Sequence, residues 1–301
     1  MVGIREYSET DRSWTTLFLV GIVFAVCILL IYLGGNFSEN DISNISSSRF
    51  LSTPAIGLFR ALASLACICT IASIVLDPKG MTYNLLDYKT RIYGPKRITG
   101  TTRLSAFTMW SFTLMGVYFA VSSLSSWSYH FGWGFSEMVV ELVPALFASA
   151  IASAFLVTTT VTYMLIPEAN SRSDDISHYF KWDSQLMHNG NVIFILAELV
   201  FSDISLSLGH ISFPVVFGCT YVLFSAFNAK RSGIYFYDFI DPRLNGSHII
   251  HMVLLGVLSL LFVLTVAIQE IEKLNIWAYL VVISAIAYLV TTFSNPSEKG
   301  D

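Results

Sequence analysis

The stretch WTTLFLVGIVFAVCILLIYL, residues 14–33, decides the class of this protein. It carries no charge, and about 20 mostly apolar residues suffice for a helix to cross the hydrocarbon core of a bilayer. Arg5 and Arg12 precede it, as basic residues precede a secretory signal. The run is longer than a signal's apolar core of about 7–15 residues, and no small-x-small cleavage pattern follows it cleanly. It is therefore read as a retained first helix.

Working outward, seven more stretches qualify or come close, at roughly 54–76, 105–126, 139–166, 187–206, 211–228, 248–268 and 275–293. Composition agrees. The chain has 301 residues, 54% hydrophobic and 13% charged, with mean hydropathy +0.63. Soluble domains carry about 25% charged residues. The expected fold is an all-α polytopic transmembrane bundle of about eight helices, forming one domain over residues 1–301. The stretch at 187–206 is the weakest, because Glu198 and Asp203 interrupt it.

Basic residues orient the bundle, since cytoplasmic loops collect Lys and Arg. With eight crossings, one side receives Arg5, Arg12, Lys79, Lys89, Arg91, Lys96, Arg97, Arg103, Arg172, Lys181, Lys230, Arg231, Arg243 and Lys299. Only Arg49, Arg60 and Lys273 fall elsewhere. Both termini are thus expected in the cytosol. The sequons at Asn36 and Asn44 then lie outside, and Trp127, Tyr129, Trp133 and Phe135 fit an interfacial aromatic belt. Cys27, Cys67, Cys69 and Cys219 lie in apolar runs, so packed free thiols are expected. The loop 77–103 is too short to fold alone.

Several functions drop out. No basic stretch suggests nucleic acid. No lysine sits at mid-membrane to hold retinal, no phosphate-binding loop is present, and no H-x-x-x-H or C-x-x-C pair offers a metal site. No cofactor is expected. Membrane lipids are the expected surroundings.

Polar residues at membrane depth are costly and carry functional hypotheses by default. Here they are Arg60, Thr108, Glu141, His188, Asn189, Asn191, Glu198, Asp203 and His210. Thr108 and His188 each open a helix that enters from the cytosolic face, within roughly 6 Å of one boundary. A hydroxyl nucleophile needs a base within hydrogen-bond reach, and shared depth permits that. The ordinary alternatives are a threonine bonded to its own i−4 carbonyl and a histidine that caps or packs. Arg60 and Glu198 fall at similar depths from the outer side and read as a structural ion pair; Glu198 is expected to face inward and bond Arg60, or else a polar neighbour such as Tyr118 or Tyr221. A proton or ion pathway is the sharper alternative. Asp203 and His210 flank a short outer turn, where solvated roles are expected.

The run Phe107-Thr-Met-Trp-Ser-Phe-Thr-Leu-Met-Gly-Val-Tyr-Phe119, with Gly57-Leu-Phe-Arg60 before it, resembles the androgen-induced-gene family of multi-pass membrane proteins and its plant and algal relatives. Met187-His188, Phe194-Ile-Leu-Ala-Glu198, Thr220-Tyr221 and Ser232-Gly-Ile-Tyr-Phe-Tyr-Asp-Phe239 follow in the family's order, so the resemblance covers about 55–270. A helix at about 275–293 is additional. The resemblance implies a threonine hydrolase of fatty acid esters of hydroxy fatty acids, with Thr108 as nucleophile and His188 as base. Asn189 or Asn191 would support the oxyanion, and an acyl ester would be the substrate. The alternative is a non-catalytic structural or accessory subunit that works with partner membrane subunits, or a small transporter built on Arg60 and Glu198.

Overall fold

Each apolar run becomes a helix, and the chain's punctuation sets its ends. The computed structural model describes residues 6–7, 11–34, 40–134 and 136–293. Asn36, Phe135, Arg5 and Lys299 lie outside the described residues. The elements are α1 Ser13–Leu33, α2 Ile42–Ser46, α3 Thr53–Leu76, β1 Met81–Asp87, β2 Tyr93–Ile98, α4 Phe107–Phe131, α5 Glu137–Thr160, α6 Ile166–Ser171, α7 Trp182–Gln185, α8 Asn191–Phe201, α9 Ser212–Ser232, β3 Ile234–Tyr235, α10 Ser247–Leu274 and α11 Ile276–Val290. Pro54 sits in the first turn of α3, where its missing N–H costs nothing. Gly132 and Gly233 close α4 and α9 in the left-handed conformation, with φ of 69° and 78°.

Six helical segments among the described residues are long and apolar enough to cross a membrane: Ser13–Leu33, Thr53–Leu76, Phe107–Phe131, Glu137–Ser171, Leu208–Ser232 and Ser247–Leu274. The chain is a multi-pass membrane protein on that ground. The faces of these helices agree. On α3, Leu58, Leu62, Leu65 and Ile68 are exposed, while Gly57, Arg60, Ser64 and Cys67 are buried. A large exposed apolar stripe on a helix suits lipid rather than water.

The expected fifth stretch is displaced toward the N-terminus, and the eighth is shorter than read. The fifth is a helical path from Trp182 to Phe201, running through a π turn at Leu186–Gly190 into the 11-residue α8. The polar run His188-Asn-Gly-Asn191 lowers its hydropathy. The eighth is α11, only 15 residues long, or about 22 Å against a core of about 30 Å. The two run antiparallel in contact: Tyr279 Oη donates to Leu199 O at 2.8 Å, and Asn189 Nδ2 donates to Thr292 O at 2.7 Å.

Small residues let α3 and α4 approach closely. Ser64 Oγ donates to Gly116 O at 2.9 Å, and Ser123 Oγ donates to Gly57 O at 2.9 Å. A Cβ added at Gly116 would lie 3.0 Å from Cys67 Cβ. Lipid supplies no hydrophobic drive between helices, so such close packing and interhelical bonds hold the seam. Helix α5 runs through the centre, touching α4, α8, α9, α10 and α11. Its Ala148, Ala150, Ala152, Ala154 and Ser153 are buried.

One departure from an all-helical reading stands outside the bundle. The basic loop 77–103 forms a hairpin of β1 and β2, and β3 adds to it in the order β2-β1-β3. Met81 pairs with Ile98, and Leu86 pairs with both Tyr93 and Tyr235. The loop is short for independent folding, and it is completed by a strand from residues 234–235. The cysteines are free as expected, but Cys69 is exposed rather than packed. His210 is buried, not solvated, with Nδ1 against Ser207. Asp203 is partly exposed and contacts Ser47 and Arg49.

Candidate functional site

At the end of the bundle that carries the basic loops lies a cavity of about 520 Å³. Its walls come from β1, the 3₁₀ turn Gly100–Ser105, the start of α4, the π turn at Leu186–Gly190, the 3₁₀ turn Ser177–Phe180 and the loop 236–239. Thr108 and His188 both line it, and α4 packs against the π turn.

Thr108 is the second residue of α4, so no helical i−4 carbonyl precedes it. Its Oγ1 instead meets Tyr237 Oη at 3.3 Å, and its N–H points to the same oxygen at 3.5 Å. Thr113, one turn on, makes the ordinary bond, Oγ1 to Met109 O at 2.7 Å. The position of Thr108 therefore leaves its hydroxyl for side-chain chemistry. Burial pushes the Tyr237 phenol up from its usual value, so at neutral pH it is a neutral O–H donor.

His188 sits on the π turn, a feature frequent at functional sites. The turn shifts the backbone ladder, and Thr158 Oγ1 on α5 donates to the His188 carbonyl. A Cβ at Gly190 would fall 2.6 Å from Leu186 Cδ1, so glycine lets that side chain lie across the turn. The His188 ring is tilted beside Tyr179 with centroids 6.0 Å apart. Its Nδ1 is buried with no partner among the described residues. Among the described residues, none holds the ring through that nitrogen as the carboxylate of a triad would.

Asn189 and Asn191 are not brought into the cavity. Asn189 Nδ2 donates to Gln185 Oε1 at 2.8 Å and Thr292 O at 2.7 Å, and its Oδ1 accepts from Thr292 N at 3.2 Å. It pins the end of α11. Asn191 Oδ1 accepts from Thr158 Oγ1 at 2.9 Å and from Val192 N at 2.6 Å. It braces α5 against α8. The hydroxyl placed at Thr108 is that of Tyr237, which the sequence motifs do not single out. Its one signal in the sequence is the aromatic run Ile234–Phe239, whose path depends on the turn at Gly233.

The remaining polar lining includes Arg103 and His178. Arg103 Nη1 donates to Ile74 O at 2.8 Å, with Asp77 Oδ2 at 3.7 Å. Burial lowers the His178 imidazole below its usual value, which favours the neutral ring. Among the described residues, no three His, Cys, Asp or Glu side chains group to hold a metal. A second, smaller hollow of about 80 Å³ adjoins the first and shares Thr108, Leu165, Tyr237 and Phe239 with it. The rest of its lining is almost entirely apolar, mostly from α5, α9 and α10, with Phe107, Val161 and Ile240.

Away from this cavity, Arg60 and Glu198 meet with side chains 0% exposed. Arg60 Nε and Nη2 donate to Glu198 Oε1 at 3.0 and 2.6 Å. Tyr118 Oη donates to the same oxygen at 2.8 Å. Tyr221, the other expected partner, donates instead to Ser105 O at 3.1 Å. Arg60 Nη1 donates to Ile45 O at 2.9 Å and Ser126 Oγ at 2.8 Å. One pair thus ties α2, α3, α4 and α8 together.

No protein-family model, no curated protein and no solved structure matches this chain.

Proposed function

We propose that the chain is a membrane-embedded lipid ester hydrolase. The observation that carries this reading is that Thr108 and His188, from two helices, line one cavity, with the threonine hydroxyl spared from its own helix. Thr108 Oγ attacks the ester carbonyl carbon, and its proton passes to His188. Tyr237 Oη donates to the oxygen that gains charge. The C–O bond to the alcohol then breaks, and the alcohol leaves with the proton from His188. Water attacks the acyl-threonine in the same way and restores both residues. The resemblance of 107–119 and 187–198 to the androgen-induced-gene family supports the same assignment. The test is incubation of purified protein with a panel of lipid esters. Wild type should release acid, and Thr108→Ala should reduce the rate to background. Equal rates in the two proteins would remove the reading.

We also propose eight crossings with both termini in the cytosol of an endomembrane or plasma membrane. The charge sorting supports this, as does the 20-residue path Trp182–Phe201, which reaches about 30 Å. In a cysteine-free background, single cysteines in 40–53 and 127–134 should react with an impermeant reagent added outside. A cysteine in 77–103 that reacts from outside would refute the orientation.

A second reading has its own support. The Arg60–Glu198 contact lies inside the bundle and far from solvent, as a structural or accessory subunit, or a transporter, would also use it. Under that reading the ester panel stays uncut while loss of Arg60 still unfolds the protein.

A further inference from the structure

The two hollows meet at Thr108 and Tyr237, and they differ in size and chemistry. The polar one measures about 520 Å³ and the apolar one about 80 Å³. An ester bound with its carbonyl at Thr108 places its two arms in unequal spaces. We infer that the apolar slot takes the acyl arm and ends at Gly218, so that this site accepts short acyl chains carried on a large polar alcohol. The inference rests on the hydrolase reading for its chemistry and deepens it by naming the substrate class.

Gly218 on α9 belongs to the slot and not to the polar cavity. It faces Leu255 and Leu258 of α10, which line the slot with it. A Cβ at position 218 would lie 2.9 Å from Leu258 Cδ2 and 3.0 Å from Leu255 Cδ2. Any side chain there displaces the ends of those leucines. Gly218, Leu255 and Leu258 are buried. Tyr221, one turn further along α9, packs its ring 4.9 Å from Phe107 beside Thr108. Gly218 lies about one helical turn, roughly 5 Å, from Tyr221 along α9. The wall is apolar, and Leu255 and Leu258 stand against Gly218 in it, so carbon chain is the matching occupant and a charged group is excluded.

One methylene too many in a tight apolar pocket changes selectivity by roughly 10–200-fold. Acetyl, butyryl, hexanoyl and octanoyl esters of 4-nitrophenol, compared in one mixed-micelle preparation, should show a drop of at least about tenfold in kcat/KM past the limit. Gly218→Ala should move that limit to a shorter chain, and Leu258→Val should move it to a longer one. One chain-length profile shared by all three proteins would overturn the assignment. A second readout does not need hydrolysis. A butyryl lipid with a photoreactive diazirine at its last carbon should label 218–222 or 254–258, in wild type and in Thr108→Ala alike. Labelling there with no ester cleaved keeps the slot and removes the hydrolase. Labelling confined to outward residues such as Val253 and Leu260 removes the slot, whatever the enzyme does.

Discussion

Replacing Arg60 with methionine should destabilise the protein by about 3–5 kcal/mol, the range for removing one partner of a buried ion pair. Two guanidinium donors meet Glu198 Oε1 at 3.0 and 2.6 Å. Without them, a carboxylate that is 0% exposed keeps a single hydrogen bond, from Tyr118. Its second oxygen, Oε2, already has no partner among the described residues. The Ile45 carbonyl and Ser126 hydroxyl lose their donor as well. Because α2, α3, α4 and α8 converge on this pair, the loss should appear as global unfolding. Thermal unfolding in detergent, followed by far-UV circular dichroism, measures it. The double change Arg60→Met with Glu198→Leu should recover much of the loss, since apolar replacements of buried pairs are often neutral or better. A double variant as unstable as the single would show that shape, not charge, holds this region. If Glu198→Gln leaves folding untouched but abolishes hydrolysis, the carboxylate belongs to the active machinery instead.

His188→Ala should lower kcat for ester cleavage by about 10²–10⁴, the usual contribution of a positioned acid–base group. Thr108→Ala removes the nucleophile and should leave only background. Groups that act as one unit are strongly non-additive, so the double variant should be no slower than Thr108→Ala alone. Single-turnover measurements with an ester that yields a coloured alcohol give these values directly. Two independent losses that multiply would place the histidine outside the chemical step. Unfolding curves should stay close to wild type for Thr108→Ala, because its hydroxyl holds no helix carbonyl. A large stability loss there would make the Thr108–Tyr237 contact structural.

Depth in the membrane is legible in the sequence, because a helix rises by a constant amount per residue and charges avoid the hydrocarbon. The membrane class, the principal apolar helices and the level shared by Arg60 and Glu198 all follow from that local arithmetic. Those two residues are 138 apart in the chain, yet matching depth and opposite charge leave few other partners for either. The placement of Thr108 and His188 near one boundary is legible for the same reason. Direction around a helix is not. Asn189 and Asn191 sit beside His188 in sequence, but the π turn and the contact with Thr292 turn them toward α11 and α5. Tyr237 reaches Thr108 across 129 residues through a turn at Gly233 and a strand that exists only because the hairpin pairs with it. Hydropathy belongs to a short window of sequence and fixes what enters the membrane. Which polar groups touch depends on the packing of distant helices, so the contact of Tyr237 with Thr108, the hollow lined by Gly218 and the sheet that lines the cavity were set by the tertiary structure.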